Sequence, residues 1–513
     1  MASESNRTAT GAPMSGAALW SAAFLLAAAN FLAVLDMTIV NVSVPNIAGG
    51  LAVPPNEGTW VITSYSVAEA IIVPLTGWLA ARFGTVRVFA LSILGFGAFS
   101  ALCGLAPNLD LLVLLRVLQG LAGGMLMPLS QTLLMQIFPK RQQPIAMTIW
   151  SMTTLVAPVL GPVLGGLLCN NFDWPSIFWV NVPIALIAGP IVWRILRSQE
   201  TPTQHRPIDG VGLGLLVVWV GALQIVLDTG KDHDWFASTQ ITVLTLTAAI
   251  GFVAFLIWEL TCREPVVSLR VFRHRGFSAS MVNLALAMGA FFAVNVLTPL
   301  WLQEQMGYTA TWAGYASAGF GISAMLAAPI VAALSQRFDP RPLIFAGVLW
   351  LAAVTLLRSA GAAQMTFSQV AWPVFFTGFG LPFFFIPLMT TALGSVDPGE
   401  LAAAAGQLNF IRSLSGAIAT SIVTTVWEND ATRAHARLVG VMHGARHTIA
   451  ALMHHGYSMA QAASLIDQTL RAQAMMIATN RVFFSCGLTL VIAACAIWLS
   501  PKPAGEVDIS AIH

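Results

Sequence analysis

The sequence predicts an all-α integral membrane protein of fourteen transmembrane helices, built as two six-helix bundles with two extra helices between them. Three observations lead there. Of 513 residues, 57% are hydrophobic and 9% are charged, whereas soluble domains carry about 25% charged residues. Apolar segments long enough to cross a bilayer, at ~20 residues per crossing, recur along the whole chain. The pattern also repeats: Trp60 opens a span that ends LAARFGTVRVF (Leu79–Phe89), and Trp312 opens one that ends ALSQRFDPRPLIF (Ala333–Phe345). Each is a tryptophan-led span closed by a short basic turn, and repeats of this kind place a transport site at the midplane between the bundles.

Taken in order, residues 1–16 are an N-terminal tail and 17–197 a first bundle, with spans near 17–42, 59–81, 86–106, 109–133, 143–168 and 174–193. Residues 198–262 hold two inserted spans, near 209–227 and 239–260, with Asp209 and Asp228 at the ends of the first. A linker, 263–275, leads to the second bundle, 276–500, with spans near 277–302, 311–334, 342–361, 369–392, 401–427 and 474–499; residues 501–513 form a C-terminal tail. Of the 24 lysines and arginines, most fall between spans on the side of the N-terminus. Arg116, Arg412 and Arg481 lie inside spans. The basic side is the cytoplasmic one, so both tails and the linker are expected in the cytoplasm. The first fifteen residues carry no basic run followed by a cleavable site, which leaves targeting to the first span. Residues 428–472 are the one sizeable polar stretch and are expected to form a long periplasmic loop. Within it Ser458 and Gln461 match a capping box that starts a helix running into the last span.

Composition excludes several functions. A net charge of +2 is too small for a nucleic-acid partner, which needs concentrated positive charge. The five cysteines are scattered, with no CxxC or His/Cys cluster, so neither disulfides nor a metal site is expected. No phosphate-cradling GxxxxGK[ST] motif is present. No catalytic residues are assigned: no nucleophile–base pair or soluble catalytic domain is readable, and no cofactor is called for. Five of the nine histidines (His435, His443, His447, His454 and His455) sit in 428–472. A metal or pH-sensing site there lacks any carboxylate–histidine pattern, and a solvated loop is the better reading.

The chemistry concentrates in a few polar residues within apolar runs. A buried arginine costs a few kcal/mol or more unless paired, and Arg116 shares a helix face with Gly120, Gly123 and Met127, with Gln119 beside them. Ala157, Gly161 and Gly165 stand four apart, with Pro158, Pro162 and Gly166 in the next row. Small residues at that spacing let helices approach closely, and prolines bend them. Asp36 is the leading proton carrier, because burial disfavours its charged form; the alternative is a fixed hydrogen bond that holds the first span. Glu69, one turn after Tyr65, reads as a second carrier, a counter-charge for cationic substrates, or a structural partner. Arg412, one turn after Asn409, reads as an anion contact or a pairing residue, the latter favoured. Met37, Trp150 and Phe383–Phe385 offer an adaptable apolar lining.

These stretches resemble the fourteen-span drug:proton antiporters of the major facilitator superfamily. Leu35–Pro45 (LDMTIVNVSVP) is similar to that branch's first-helix signature, and Gly77–Arg87 to the superfamily's basic loop. Arg116–Gly120 (RVLQG) is similar to the fourth-helix arginine motif, and Ala157–Gly166 to the fifth-helix antiporter motif. Trp174–Pro183, Asp209, Leu227–Trp235 and Pro299–Gly314 also fit. The resemblance implies export of amphipathic drug-like molecules across a bacterial inner membrane by alternating access, driven by the proton gradient. It implies proton coupling at Asp36, Glu69, Arg116 and Arg412, and substrate contacts at Met37, Asn41, Tyr65, Gln119, Trp150, Phe384, Phe385 and Asn409. Gating roles fall on Gly77, Arg82, Gly84, Arg87, Gly120, Pro158, Gly161, Pro162, Gly165 and Gly166. A periplasmic membrane-fusion adaptor and an outer-membrane channel are the implied partners, met through the long outer segment and the Lys231–Trp235 turn. Two departures stand out. Ala81 replaces an acidic residue of the basic loop, so Arg82 and Arg87 need another acceptor, and the second copy is degenerate at Ala332, Asp339 and Pro340. A symporter for a small metabolite and a membrane-embedded enzyme or sensor are the alternatives.

Overall fold

The computed structural model describes residues 14, 16–204, 207, 209–308, 310–362, 364–441, 445–455 and 457–500, and among them every regular element is a helix. The first bundle comprises α1 (Gly16–Gly50), α2 (Trp60–Phe83), α3 (Thr85–Cys103), α4 (Leu109–Ile137), α5 (Gln143–Asn171) and α6 (Ser176–Gln199). The inserted pair is α7 (Gly210–Thr229) and α8 (Thr239–Thr261). The second bundle comprises α9 (Arg275–Glu304), α10 (Ala310–Ser335), α11 (Pro340–Arg358), α12 (Phe367–Gly394), α13 (Leu401–Val441) and α14 (Met459–Ala496). Thirteen are long and apolar enough to span as they stand, and the bent α5 is the fourteenth when its two arms count as one span. α5 is bent by 47° between Lys140–Pro158 and Val163–Cys169, where the prolines withdraw backbone donors and crowd the preceding turn.

Hydropathy marked where lipid ends, not where helix ends. The expected loop at 428–472 is mostly helical: α13 runs for 41 residues, about 60 Å and twice the ~30 Å hydrocarbon core. A short helix, Ala445–His454, follows, and α14 begins at the Ser458 capping box, with both reciprocal bonds formed. The polar residues there support helix rather than interrupt it. Asp467 pairs with Arg471 one turn on at 2.7 Å and with His435 of α13 at 2.9 Å, which ties the two extensions together. His443 lies outside the described residues, as does the side chain of His447.

The inserted pair packs on both bundles through one apolar cluster. Leu216, Trp219 and Val220 of α7 and Phe255 of α8 meet Val73 and Leu75 of α2 and Phe410 of α13. At the far end Ser421 Oγ donates to Leu227 O (2.9 Å), Trp235 Nε1 to Thr425 Oγ1 (3.1 Å), and Lys231 pairs with Glu428 (2.6 Å).

At the basic end the bundles touch backbone to backbone. A Cβ on Gly77 would lie 2.6 Å from Ala403 Cα, and one on Gly406 2.8 Å from Val73 O, so α2 and α13 approach as only glycine permits. In the basic turn Gly84 takes φ +93°. The acid nearest this turn is Glu200, whose two carboxylate oxygens accept the Val86 and Arg87 amides at 2.9 Å each. It thus caps the N-terminus of α3, where an anion is favoured. Arg82 stacks on Trp78 and Phe83, and Arg87 lies over Trp193. The second copy uses a different device: Asp339 accepts the Arg341 amide and pairs with its guanidinium at 2.7 Å.

Candidate functional site

The first bundle encloses a complete charge network. Arg116 Nη1 of α4 meets Asp36 Oδ2 of α1 at 2.6 Å, with both side chains at most 1% exposed. Gln119 Nε2 (3.1 Å) and Asn181 Nδ2 of α6 (2.8 Å) donate to the other oxygen, Asp36 Oδ1. Arg116 also donates to Val61 O through Nε (3.0 Å) and to Gln119 Oε1 through Nη1 (3.0 Å). Asn181 continues to Ser100 Oγ of α3 at 3.2 Å, and Ser100 donates to Phe178 O. Unpaired charge at this depth would cost several kcal/mol; here each ion has both an opposite charge and hydrogen bonds. The α4 glycines make the geometry possible. A Cβ on Gly120 would sit 2.6 Å from Tyr65 O, and one on Gly123 2.6 Å from Tyr65 Oη. The Tyr65 ring therefore lies against Arg116, 4.2 Å from centroid to Cζ.

A second group occupies the seam between bundles. Trp150 of α5 is fully buried, donates to Ser130 Oγ (3.0 Å) and stacks on Phe385 of α12 at 6.0 Å and 21°. Arg412 of α13 lies 5.8 Å from the Trp150 ring and meets Met127 Sδ of α4 at 2.7 Å. Asn409 Nδ2 donates to Gln131 Oε1 of α4 at 2.9 Å. Glu69 is buried, makes no side-chain hydrogen bond among the described residues, and feels the fields of Arg412 and then Arg116.

Placement of the remaining candidates is uneven. Phe384 is buried beside Phe385, and Met37 is half-buried against the core. Asn41 lies on the exposed side of α1, away from both groups. Trp150 and Phe385 fill the seam by stacking on one another, and Asn409 crosses it to Gln131. On α5 the Ala157–Gly161–Gly165 row faces α1: Thr38 Oγ1 reaches Ala157 O at 3.4 Å, a Cβ on Gly161 would strike Thr38, and one on Gly165 would lie 3.1 Å from Ile39 O. Pro158 is exposed, and a Cβ on Gly166 would meet nothing within 4 Å. The side chain of Pro162 is outside the described set. Sequence reasoning passed over Asn181, Gln131 and Glu200. Asn181 and Gln131 were each findable as polar side chains in otherwise apolar runs.

Two six-helix bundles that meet along a buried polar seam, with one charge network inside the first bundle, define the class of two-bundle membrane transporters. The chain belongs to the Major Facilitator Superfamily, whose family model matches residues 26–420. It is 41% identical to the multidrug export protein EmrB of Escherichia coli, over 96% of this chain and 97% of that one. It is 40% identical to the fatty acid resistance protein FarB of Neisseria gonorrhoeae, over 96% and 98%. Among solved structures, the proton:xylose symporter XylE superposes with a TM-score of 0.57 at 14% identity, covering 94% of this chain and 96% of that one. The human organic anion transporter MFSD10 gives 0.55 at 14% identity, over 91% and 99%. These two share the fold.

Proposed function

We propose that this protein is a proton-coupled multidrug exporter of a bacterial inner membrane, moving amphipathic or hydrophobic compounds outward by alternating access. The observation that carries the reading is the enclosed Asp36–Arg116 pair, a titratable group held at 2.6 Å from its counter-charge inside the bundle. Proton uptake on Asp36 Oδ2 removes the charge that Arg116 answers, frees the guanidinium, and weakens the tie between α1 and α4. Loss of the proton restores it. A group that alternates in this way exchanges a proton for substrate once per cycle. Glu69, buried beside the seam with no side-chain hydrogen bond among the described residues, serves as a second carrier or as counter-charge to a cationic substrate, with Arg412 opposite. The aromatic and thioether groups at the seam (Trp150, Phe384, Phe385, Met127) suit flat, apolar substrates. Likeness to exporters over nearly the full chain supports the direction of transport. By the same likeness we propose a periplasmic adaptor that docks on the helical extension formed by α13, Ala445–His454 and α14, leading to an outer-membrane channel.

The test uses purified protein in liposomes under an imposed pH gradient, following a fluorescent lipophilic cation and, in parallel, neutral and anionic amphiphiles. Accumulation that collapses with a protonophore and in Asp36→Asn, measured per folded protein, is the expected result. Full gradient-driven transport by a folded Asp36→Asn variant would remove Asp36 from the mechanism.

A further inference from the structure

At the end of the second bundle opposite the basic turns, a cavity of about 430 Å³ opens between α11, α13 and α14, lined by Ser359, Asp430, Asn480, Arg481, Phe484 and Ser485. Its charges are only loosely paired. Arg481 lies 3.7 Å and Arg433 3.9 Å from the Asp430 carboxylate, against 2.6–2.7 Å for the direct pairs elsewhere. Among the described residues none of the three makes a closer hydrogen bond. Asn480 gives its amide to Gly361 O, but its own Oδ1 is buried without a donor. The cavity wall thus carries one cation, Arg481, and one carboxylate, Asp430, that are paired only loosely.

Its depth and surroundings point to lipid. Arg481 precedes Ser500, at the basic end, by 19 residues, along α14 to Ala496 and then the 3-10 turn Ile497–Leu499, about 29 Å, which matches the ~30 Å hydrocarbon core. The cavity is therefore at headgroup level. Below it Phe484, Leu488 and Ile492 of α14 are 56%, 51% and 55% exposed. At i, i+4 and i+8 they form one apolar track running from the cavity mouth towards the bilayer centre. We propose that this cavity binds the headgroup of an amine-bearing zwitterionic phospholipid, with the phosphate on Arg481, the ammonium on Asp430, and an acyl chain along the α14 track. An anionic lipid meets the Asp430 carboxylate with nothing to offer it. A choline headgroup carries charge but no N–H to donate. A free phosphate compound leaves the apolar track unused.

The full chain, delipidated in detergent, is titrated with dioleoyl phosphatidylethanolamine, phosphatidylcholine or phosphatidylglycerol and read by native mass spectrometry. The parent retains one phosphatidylethanolamine about tenfold more tightly than either of the others. Asp430→Asn brings phosphatidylethanolamine and phosphatidylcholine to parity, and Arg481→Gln weakens both. Ser485→Trp, which fills the cavity and keeps every charge, abolishes the selective retention and so covers the case in which a charge variant fails to fold. Tighter retention of phosphatidylglycerol, unchanged selectivity in all three variants, or displacement of the lipid by millimolar soluble phosphoethanolamine would each overturn the proposal.

Discussion

Replacing Arg116 by Met tests whether the enclosed network is the structural centre of the first bundle. The substitution keeps much of the apolar stem but removes the cation 2.6 Å from Asp36 and the donor to Val61 O. Both ionic side chains are shielded from water, so nothing screens the charge left behind. Removing one partner of a buried pair costs about 3–5 kcal/mol. Gln119 and Asn181 still donate to Asp36 Oδ1, which places the expected loss near the lower figure, about 3 kcal/mol, or roughly 150-fold in the folded ratio. Asp36→Asn strands the arginine in turn and has a loss of the same order. In the double variant no charge remains to be stranded, and its loss should fall below the sum of the two by about 1–3 kcal/mol. Reversible unfolding in mixed micelles against a denaturing detergent measures all three, with Arg433→Met, whose side chain is 71% exposed, as a control within about 0.5 kcal/mol of the parent. An Arg116→Met loss no larger than that control, or a strictly additive double variant, refutes the argument.

Two further outcomes follow from close contacts. Gly161→Ala drives a methyl into Thr38 of α1 and should lower stability by about 1–3 kcal/mol through overpacking. Gly166→Ala, one turn further with open space around it, should be neutral or gain up to ~1 kcal/mol from helix propensity; thermal unfolding of the pair separates a packing row from a merely small-residue stretch. Glu200→Ala removes the cap on α3 and should cost about 1 kcal/mol. Hydrogen exchange at the Val86 and Arg87 amides should then speed up several-fold, with no change expected there if Glu200 only decorated the turn.

What was legible follows from which force each residue answers to. Span positions came from bilayer thickness acting on apolar runs, and thirteen recur as single helices, with the bent α5 the fourteenth. Arg116 announced itself because an arginine in an apolar helix must be answered, yet the answer, Asp36 with Gln119 and Asn181, joins three helices far apart in sequence. The α5 bend followed from Pro158 and Pro162 alone. The 428–472 segment was misread because polarity says nothing against helix once α13 leaves the lipid, and its Asp467–Arg471 and His435–Asp467 ties act on the helix surface. Asn41 shares the first-helix signature with Asp36, but five residues round the helix it points to the exposed side. Glu200 was hidden because its role depends on the chain returning from α6 to the start of α3, which no local pattern encodes.

Under the proposed proton exchange, the location of the Asp36–Arg116 pair constrains how a proton there can be felt elsewhere. Both residues lie within the first bundle, so rigid rocking of one bundle against the other leaves them untouched. Such rocking breaks other contacts: Trp150 on Phe385, Arg412 on Met127, Asn409 on Gln131, and Gly77 against Ala403. A site biases an equilibrium only through interactions that differ between its states. Something must therefore join α1, which carries Asp36, to the seam. α5 does so. It grips α1 along its length, through Asn30 on Thr153 and Thr154 (2.8 Å each), Thr38 on Ala157, and Cys169 on Ser43, while its own Trp150 sits in the seam against α12. Its bend at residues 158–163 lies between these attachments, opposite Thr38 and within one turn of Asp36 on the neighbouring helix. A displacement of the seam half of α5 thus reaches α1 and Asp36 through helix packing, by way of the Asn30–Thr153/Thr154, Thr38–Ala157 and Gly161–Thr38 contacts.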